Sequence, residues 1–482
     1  MEARILNEFR AIVGAPGLIT EPEQLSTYEC DGLTMFRVLP LAVLLPTSTE
    51  QVQAIARVCH REKIPFVARG SGTGLSGGAL PVANGIVISL TRMNRILEVD
   101  LPNQRVIAEP GVMNLNVTMR VAPDGYFYAP DPSSQQVCSI GGNVAENSGG
   151  AHCLKYGFTT THVLGMEVVL PDGTLVHLGD RTVDCPGYDL PGVFVGSEGT
   201  LGIATKVILR IIKRPEVVQV LLAAFNSTNE AGAAVSGIIA AGTLPAAIEM
   251  MDNLAIQAAE AAVQANYPNC GGLLLVELDG PAPEVETLME EVADVCTKCG
   301  AWEIHVAQTD AERARVWTGR KAAFAAVGRL APAYIVQDGV IPRTALPHVM
   351  SEIDRLSSEV GLRVANVFHA GDGNLHPLVL YDSAVPGQGK LAEKLANDIL
   401  LLCVKAGGSI TGEHGVGEEK KMFMTEMYSE PDLATMQLVR CAFDPENLSN
   451  PDKVFPRPRL CGEKPGVYEP HPLEVAGVAQ RF

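Results

Sequence analysis

Three glycine clusters fall within roughly 130 residues of one β-rich stretch, and they constrain the fold more than any other feature of the chain. The first is Arg69-Gly70-Ser71-Gly72-Thr73-Gly74-Leu75-Ser76-Gly77-Gly78, the second Ser139–Gly150, the third Gly196–Gly202. Glycine tolerates positive φ and lets backbone N–H groups converge on an anion. Gly72, Gly74 and Gly77 satisfy G-x-G-x-x-G, but a Rossmann site needs a helix to open directly afterwards. Here Ala79-Leu80-Pro81 and a strand-like Gly85–Ser89 follow, so that fold is rejected. A P-loop is rejected as well, because no Lys-Ser/Thr follows the glycines. A single cluster is explained equally well by a turn. Three of them favour a long, phosphate-bearing cofactor lying across several loops.

A chain of 482 residues exceeds the roughly 250–300 that one core supports, so at least two domains are expected. Up to Arg214 the pattern is short strands broken by glycine, with one clear helix at Thr49–Glu62. That helix carries Val52, Ile55, Ala56 and Cys59 on one face and capping side chains at Thr47–Glu50. After Lys213-Arg214-Pro215 strands and helices alternate: strand Val217–Phe225, helix Asn229–Ala241, helix Asp252–Gln264, strand Gly272–Asp279, helix Pro283–Cys299, strand Trp302–Ala307. The expected division is 1–214, 215–441 and a proline-rich tail, 442–482, that packs back on the first domain.

Hydrophobic residues make up 47% of the chain and charged ones 19%, as in a globular protein. The net charge of −18 argues against nucleic acid as the main partner, so a site for a small acid must be locally basic. Eleven scattered cysteines suggest reduced, mostly buried thiols and a cytoplasmic setting. No apolar run reaches the ~18 residues of a membrane span, and Met1-Glu2-Ala3-Arg4 is not followed by a leader-like apolar core.

Two motifs in the second half carry chemistry. In His369-Ala370-Gly371-Asp372-Gly373-Asn374-Leu375-His376, Asp372-Gly373 reads as a two-residue hairpin turn. That register sets His369 opposite His376 on one face, where two imidazoles can share a metal ion. Two structural histidines beside a hairpin are the competing explanation. Gly412-Glu413-His414-Gly415-Val416-Gly417 is the other motif, expected to open a helix over Glu418–Tyr428. Glu413 can complete a two-histidine, one-carboxylate site, and His414 beside it, with a near-neutral pKa, would suit a general base.

The glycine loops, with Pro130-Asp131-Pro132-Ser133-Ser134, resemble the FAD-binding domain of flavoproteins of the vanillyl-alcohol-oxidase type. The resemblance implies an α+β, two-domain flavoprotein with an α+β substrate (cap) domain. It implies FAD contacts from Arg69, Gly70, Ser71, Gly72, Thr73, Gly74, Ser76 and Gly77, from Pro132 and Ser133, from Ser139, Gly142, Asn143, Asn147 and Gly149, and from Gly199 and Ile203. Thr73 stands where relatives that tether FAD carry histidine, so the FAD is expected to be non-covalent.

The later motifs resemble the metal-containing branch of FAD-linked 2-hydroxy-acid dehydrogenases. That branch implies a divalent metal, zinc by expectation, on His369, His376 and Glu413, with His414 as base and Arg320 gripping the substrate carboxylate. From sequence alone Arg320 could equally be a solvated helix residue. A lysine that some relatives place before Asp338 is Gln337 here, which favours a small substrate.

Tyr28–Leu33, Leu75–Pro81, Tyr128–Ser134, Asn143–Asn147, Met250–Leu254, Arg363–Pro377 and Gln480-Arg481-Phe482 resemble the flavin subunits of glycolate oxidases over nearly the whole chain. Those work with a second flavin-domain subunit and an iron–sulfur subunit at the inner membrane. The implied reaction is hydride transfer from a small 2-hydroxy acid to FAD, glycolate giving glyoxylate, with electrons leaving through partners toward quinone. Cys296-x-x-Cys299 is isolated and reads as structural. D-lactate as the substrate, a non-catalytic flavin-binding scaffold subunit and, more weakly, a metallohydrolase are the alternatives.

Overall fold

A computed structural model describes residues 1–182 and 186–456; the C-terminal Gln480-Arg481-Phe482 motif lies outside the described residues. Among the described residues the N-terminal lobe holds two main sheets and a two-stranded ribbon, Tyr126–Phe127 with Ile212–Lys213. The first contains β1 (Leu18–Ile19), β2 (Ala42–Leu44), β3 (Phe66–Arg69) and β4 (Ile86–Ser89) in the order β1-β2-β4-β3, with β2, β4 and β3 parallel. The second contains β5 (Ile96–Asp100), β6 (Arg105–Ala108), β7 (Val163–Val169), β8 (Leu175–Gly179) and β9 (Ile203–Arg210), antiparallel in the order β5-β6-β9-β7-β8.

Helix Thr49–Glu62 starts where Ser48 Oγ accepts from Gln51 N and stops at Lys63 in the left-handed region. Its apolar face, Val52, Ile55, Ala56 and Cys59, packs on Phe66, Ile86 and Ile88. The lobe is less purely β than its sequence suggests: Ala3–Val13, Asn114–Val121 and Ile140–Glu146 are also helical. The last is hidden by Gly141 and Gly142, which disfavour a helix by about 1 kcal/mol each. Gly141 is required there, because a Cβ would lie 2.6 Å from Pro110 Cβ.

The C-terminal lobe is a largely antiparallel sheet with helices on both faces. Its strands are β10 (Val217–Phe225), β11 (Ala247–Asp252), β12 (Gly272–Gly280), β13 (Glu303–Val306), β14 (Ala333–Val336), β15 (Gly339–Val340), β16 (Val364–His369), β17 (Asn374–Leu375) and β18 (Pro377–Tyr381). The main path is β13-β10-β12-β11-β16-β17-β15, with β18 pairing β16 and β14 at one side. Strand β10 shows why both faces are covered. Leu221, Ala223 and Phe225 enter one core with helices Thr228–Ala240, Ala282–Lys298 and Leu346–Val360. Val220, Leu222 and Ala224 enter another with Asn253–Val263 and Asp310–Val327. A strand apolar and buried at every position from Val220 to Phe225 has no solvent side to offer there.

The chain then returns to the first lobe. Leu448 joins the core of the first sheet. Phe66 N donates to Leu448 O at 2.8 Å, and Asn450 N donates to Phe66 O at 2.8 Å. Asn450 Nδ2 donates to Gly78 O and Glu198 O, tying the first glycine cluster to the third. Among the described residues eight cysteines are free, six of them buried, whereas Cys441 is disulfide-bonded and departs from the all-reduced expectation. No helix among the described residues is long and apolar enough to cross a membrane.

Asp252 joins three elements of the cap. One carboxylate oxygen caps helix Asn253–Val263 through Ala255 N (2.8 Å); the other accepts from Asn366 N and Nδ2 on β16. Asp252→Ala leaves those buried donors unpaired and is expected to cost about 2–4 kcal/mol. Both tryptophans, Trp302 and Trp317, lie in the cap, so denaturant unfolding followed by tryptophan fluorescence reads this directly. An unchanged midpoint would show that Asp252 is dispensable.

Candidate active site

A cleft runs between the glycine loops of the first lobe. Arg69, Gly70, Ser71, Gly72, Thr73, Gly74, Ser139, Gly142, Asn143, Gly199 and Ile203 line it, together with Ser134, Glu146 and Glu198. Ser76, Gly77, Pro132, Ser133, Asn147 and Gly149 are not on this wall. Ser76 instead gives its carbonyl to Glu418 N and Glu419 N, and Gly77 packs on Glu418. Asn147 caps helix Ile140–Glu146 and accepts from Thr160 N. Gly149 turns away toward the cap, where a Cβ would lie 2.8 Å from Glu413 Oε2. Arg69 donates to Cys30 O and curls beneath Gly72, whose φ is +71° and whose position has no room for a Cβ. No helix opens after the first cluster, in keeping with the rejected Rossmann reading.

The histidine hairpin differs from the expected two-residue turn. His369 pairs with Asn374, while Asn366 pairs with Pro377. Four residues, Ala370–Gly373, therefore form the loop, and His376 falls opposite Val367 rather than His369. Ile341 N donates to Gly373 O across this loop and holds it open. The slip is two residues, and a slip of two preserves the face. The histidines thus remain diagonal neighbours, with ring centroids 5.1 Å apart and planes nearly perpendicular.

Each histidine is oriented from behind. His369 Nδ1 lies 2.8 Å from Glu249 Oε1, and His376 Nδ1 lies 3.3 Å from Gln337 O. Their Nε2 atoms face Glu413 Oε1 at 3.4 Å and 3.1 Å. These three donor atoms lie within 4.8 Å of one another, and Glu413 Oε2 is buried without a hydrogen-bond partner. Two Nε2 atoms that converge on one carboxylate, outer hydrogen bonds that fix the rings, and an unsatisfied carboxylate oxygen fit a divalent cation. Burial opposes charge on Glu413, but His369 and His376 outweigh it and hold the carboxyl well below its usual range.

Arg320 is not a solvated helix residue. It is 3% exposed, and its Nη2 stands 2.5 Å from Glu249 Oε2. Nε and Nη2 nonetheless make no well-formed hydrogen bond. The guanidinium lies over Phe324, which meets His376 edge-on at 5.5 Å. Glu249 is therefore shared between Arg320 and His369, and β11 places it there by pairing Glu249 with His369 on β16.

The Glu-His loop is held by two buried carboxylates. Asp338 accepts from Thr411 Oγ1 (2.6 Å), Gly412 N (3.1 Å), Glu413 N (3.2 Å) and His414 N (2.9 Å), and pairs with Lys420 Nζ at 3.2 Å. Burial alone would raise its pKa, but Lys420 outweighs it and holds the carboxyl well below the usual range. Glu198, in the left-handed region at φ +52°, accepts from Val416 N (2.6 Å) and Gly417 N (2.7 Å). The expected helix over Glu418–Tyr428 is reduced to Lys421–Phe423 and Met424–Met427. Its first amides are drawn to Ser76 O, and Lys420 turns inward to Asp338. His414 stacks on His376 with centroids 4.9 Å apart. Burial pushes its pKa down to about 4, below the near-neutral value expected, so the ring is unprotonated at neutral pH.

Residues 40–179 match the FAD binding domain family, and residues 214–454 match the family described as FAD linked oxidases, C-terminal domain. The chain is 50% identical to glycolate oxidase subunit GlcD of Escherichia coli (strain K12) over 95% of its length and 92% of that protein's. It is 33% identical to a D-lactate dehydrogenase of Anaerostipes hadrus over 86% and 89% of the two chains. It belongs to the FAD-linked oxidases. Its fold is that of p-cresol methylhydroxylase (TM-score 0.79, 20% identity, 93% and 95% coverage). The first two glycine clusters fall within the residues that match the FAD binding domain family.

Within this FAD-linked oxidase, Glu249, Asp338, Glu198 and Lys420 were not picked out as site residues from sequence. A signal existed for Glu249: it interrupts the apolar run Ala247–Met251. Lys420, 1% exposed, carried none, because its charge looks like that of its solvated neighbours. Asp338→Asn leaves Lys420 buried without its counter-charge and sets an amide N–H against loop N–H groups. It should cost about 3–5 kcal/mol. Lys420→Met should offset part of that loss in the double variant. Chemical denaturation of the three variants checks this, and an additive pair would break the argument.

Proposed function

We propose that this chain oxidises a small 2-hydroxy acid, glycolate first among them, to the 2-oxo acid. The observation that carries the reading is the convergence of Arg320, His414 and the His369–His376–Glu413 donors at the edge of the FAD cleft. Glu413 backs onto Gly149, and Glu198 both lines the cleft and holds the loop after His414. The cleft loops would hold FAD non-covalently, since Thr73 rather than a histidine stands on its wall. When bound, FAD supplies a hydride acceptor, and a divalent ion such as zinc on His369, His376 and Glu413 supplies a Lewis acid.

The chain's own residues would act as follows. Arg320, whose Nη2 is paired with Glu249, would turn its Nε edge to the substrate carboxylate, for which a guanidinium is suited. His414, kept unprotonated by burial, takes the hydroxyl proton. Glu249 holds both the Arg320 guanidinium and the His369 ring in place. Gln337 leaves no cation for a second carboxylate, which supports a small substrate.

The relative named a glycolate oxidase subunit supports the further reading that electrons leave through partners toward quinone. A second flavin-domain subunit and an iron–sulfur subunit would serve, holding the chain at the inner membrane face. D-lactate is the second reading, favoured by the 33% identical D-lactate dehydrogenase.

Anaerobic mixing of the yellow protein with glycolate or D-lactate, followed by flavin absorbance, tests the proposal. Bleaching by glycolate is expected. Bleaching by D-lactate alone moves the substrate. No bleaching by either, with FAD and metal shown to be present, supports a scaffold role. His414→Ala should keep FAD bound and slow reduction by about 10²–10⁴-fold; normal reduction would remove His414 from the chemistry.

A further inference from the structure

We propose that His152 is a positioning residue, an imidazolium that fastens the FAD-lobe loop to the cap and thereby fixes the helix carrying Arg320 over the cleft. The inference rests on the reading of Arg320 given above. His152 Nδ1 lies 2.8 Å from Asp131 Oδ2 in the first lobe, and its Nε2 lies 2.9 Å from Glu277 Oε1 on β12 of the cap. A neutral imidazole has one N–H, so one ring nitrogen would turn a lone pair toward a carboxylate. Only the protonated ring satisfies both partners. The backbone N of His152 also donates to Asp131 Oδ1, which fixes the ring's own loop.

The connections on each side lead to the site. Toward the first lobe, Ser148 lines the FAD cleft and Gly149 packs against Glu413 Oε2 within the same loop. Toward the cap, the other oxygen of Glu277 accepts from Trp317 Nε1 at 2.6 Å, and the His152 and Trp317 rings lie 5.6 Å apart. Trp317 and Arg320 are three residues apart on helix Asp310–Val327, hence neighbours on one face. Moving Glu277 therefore moves the helix that presents Arg320.

The cap contributes a row of carboxylates for this purpose. The register Ala247↔Glu277 and Glu249↔Leu275 puts Glu249, Glu277 and Asp279 on one face of the sheet. Glu249 pairs with Arg320 and His369, and Glu277 with His152. Asp279 pairs with Lys155 and Tyr156 of the same first-lobe segment. Lys321, whose Nζ stands over Trp317, is the remaining charge beside the clamp. His152 is the member of this row that joins the two lobes and whose charge depends on a proton. Burial opposes its charge, but Asp131 and Glu277 outweigh it and hold the pKa well above the usual histidine range. With a raised folded-state pKa, the clamp is complete while the ring is protonated and both carboxylates are ionised, and it is lost as pH rises through that pKa.

The test uses full-length, FAD-loaded protein as wild type, His152→Gln and His152→Lys, the last keeping a cation. Hydrogen exchange, corrected for intrinsic rates, is followed in segments 150–156 and 272–280 from pH 6 to pH 10. Wild type should be protected at pH 6 and lose protection toward the alkaline end. H152Q should be unprotected throughout, and H152K protected throughout. In flavin reduction, H152Q should raise KM by about tenfold while kcat stays nearly constant, and H152K should remove the alkaline rise in KM. Equal exchange in wild type and H152Q overturns the clamp whatever the substrate proves to be. Altered exchange with unchanged KM overturns the positioning role. A wild type that no 2-hydroxy acid reduces defeats the functional reading alone, because exchange still decides the clamp.

Discussion

The site depends on the carboxylate of Asp338. Four donors of a glycine-containing loop, from Thr411 to His414, point at it, and Lys420 neutralises it from the side. A loop with so many turned-in N–H groups cannot persist in a protein interior without an acceptor. The side chains of Glu413 and His414, adjacent in sequence, turn to different places: Glu413 to the Nε2 atoms of His369 and His376, His414 onto the face of His376. Anchoring the backbone rather than the side chains leaves both free to do so. Glu198 repeats the device three residues later from the other lobe, so the same loop is held from both sides of the cleft.

Much of this was legible in the sequence, for reasons that differ by element. The alternating apolar and helical runs between Val217 and Val306 that were read as elements match those found to within a residue or two, whereas strand Ala247–Asp252 and helices Asp310–Val327, Leu346–Val360 and Gln388–Lys405 were not named. Helix Asn229–Ala241 as read, against Thr228–Ala240 as found, shows the scale of the error. The helix at Ile140–Glu146 was missed, because glycine there serves a close approach to Pro110 and masks helical propensity. The hairpin was misread for a related reason. Asp372-Gly373 has the composition of a tight turn, but a tertiary bond from Ile341 to Gly373 widens it to four residues.

The site was legible where chemistry is bunched along the chain and illegible where it is brought together by topology. His369, His376, Glu413 and His414 announced themselves as motifs. Glu249, Asp338 and Glu198 did not, since each lies alone among apolar or glycine residues. Each acts on a segment more than 70 residues away in sequence, so only the paired strands and docked loops reveal it. The near-neutral pKa expected at His414 is also not what the structure gives, because burial, with His376 beside it, lowers its pKa to about 4, an effect no motif encodes.

The return of the chain at Leu448–Asn450 has a consequence for biosynthesis. These residues extend the first sheet beside Phe66, and the Asn450 side chain joins Gly78 to Glu198. The cleft for FAD is thus built largely from the first two hundred residues and closed by residues near 450. On the ribosome the N-terminal lobe emerges first and waits, its first sheet short of a neighbour and two of its glycine loops unjoined, while the whole cap is synthesised. Cofactor capture in its final form is therefore a late event, coupled to completion of the chain, and a nascent N-terminal fragment offers an exposed strand edge in the meantime.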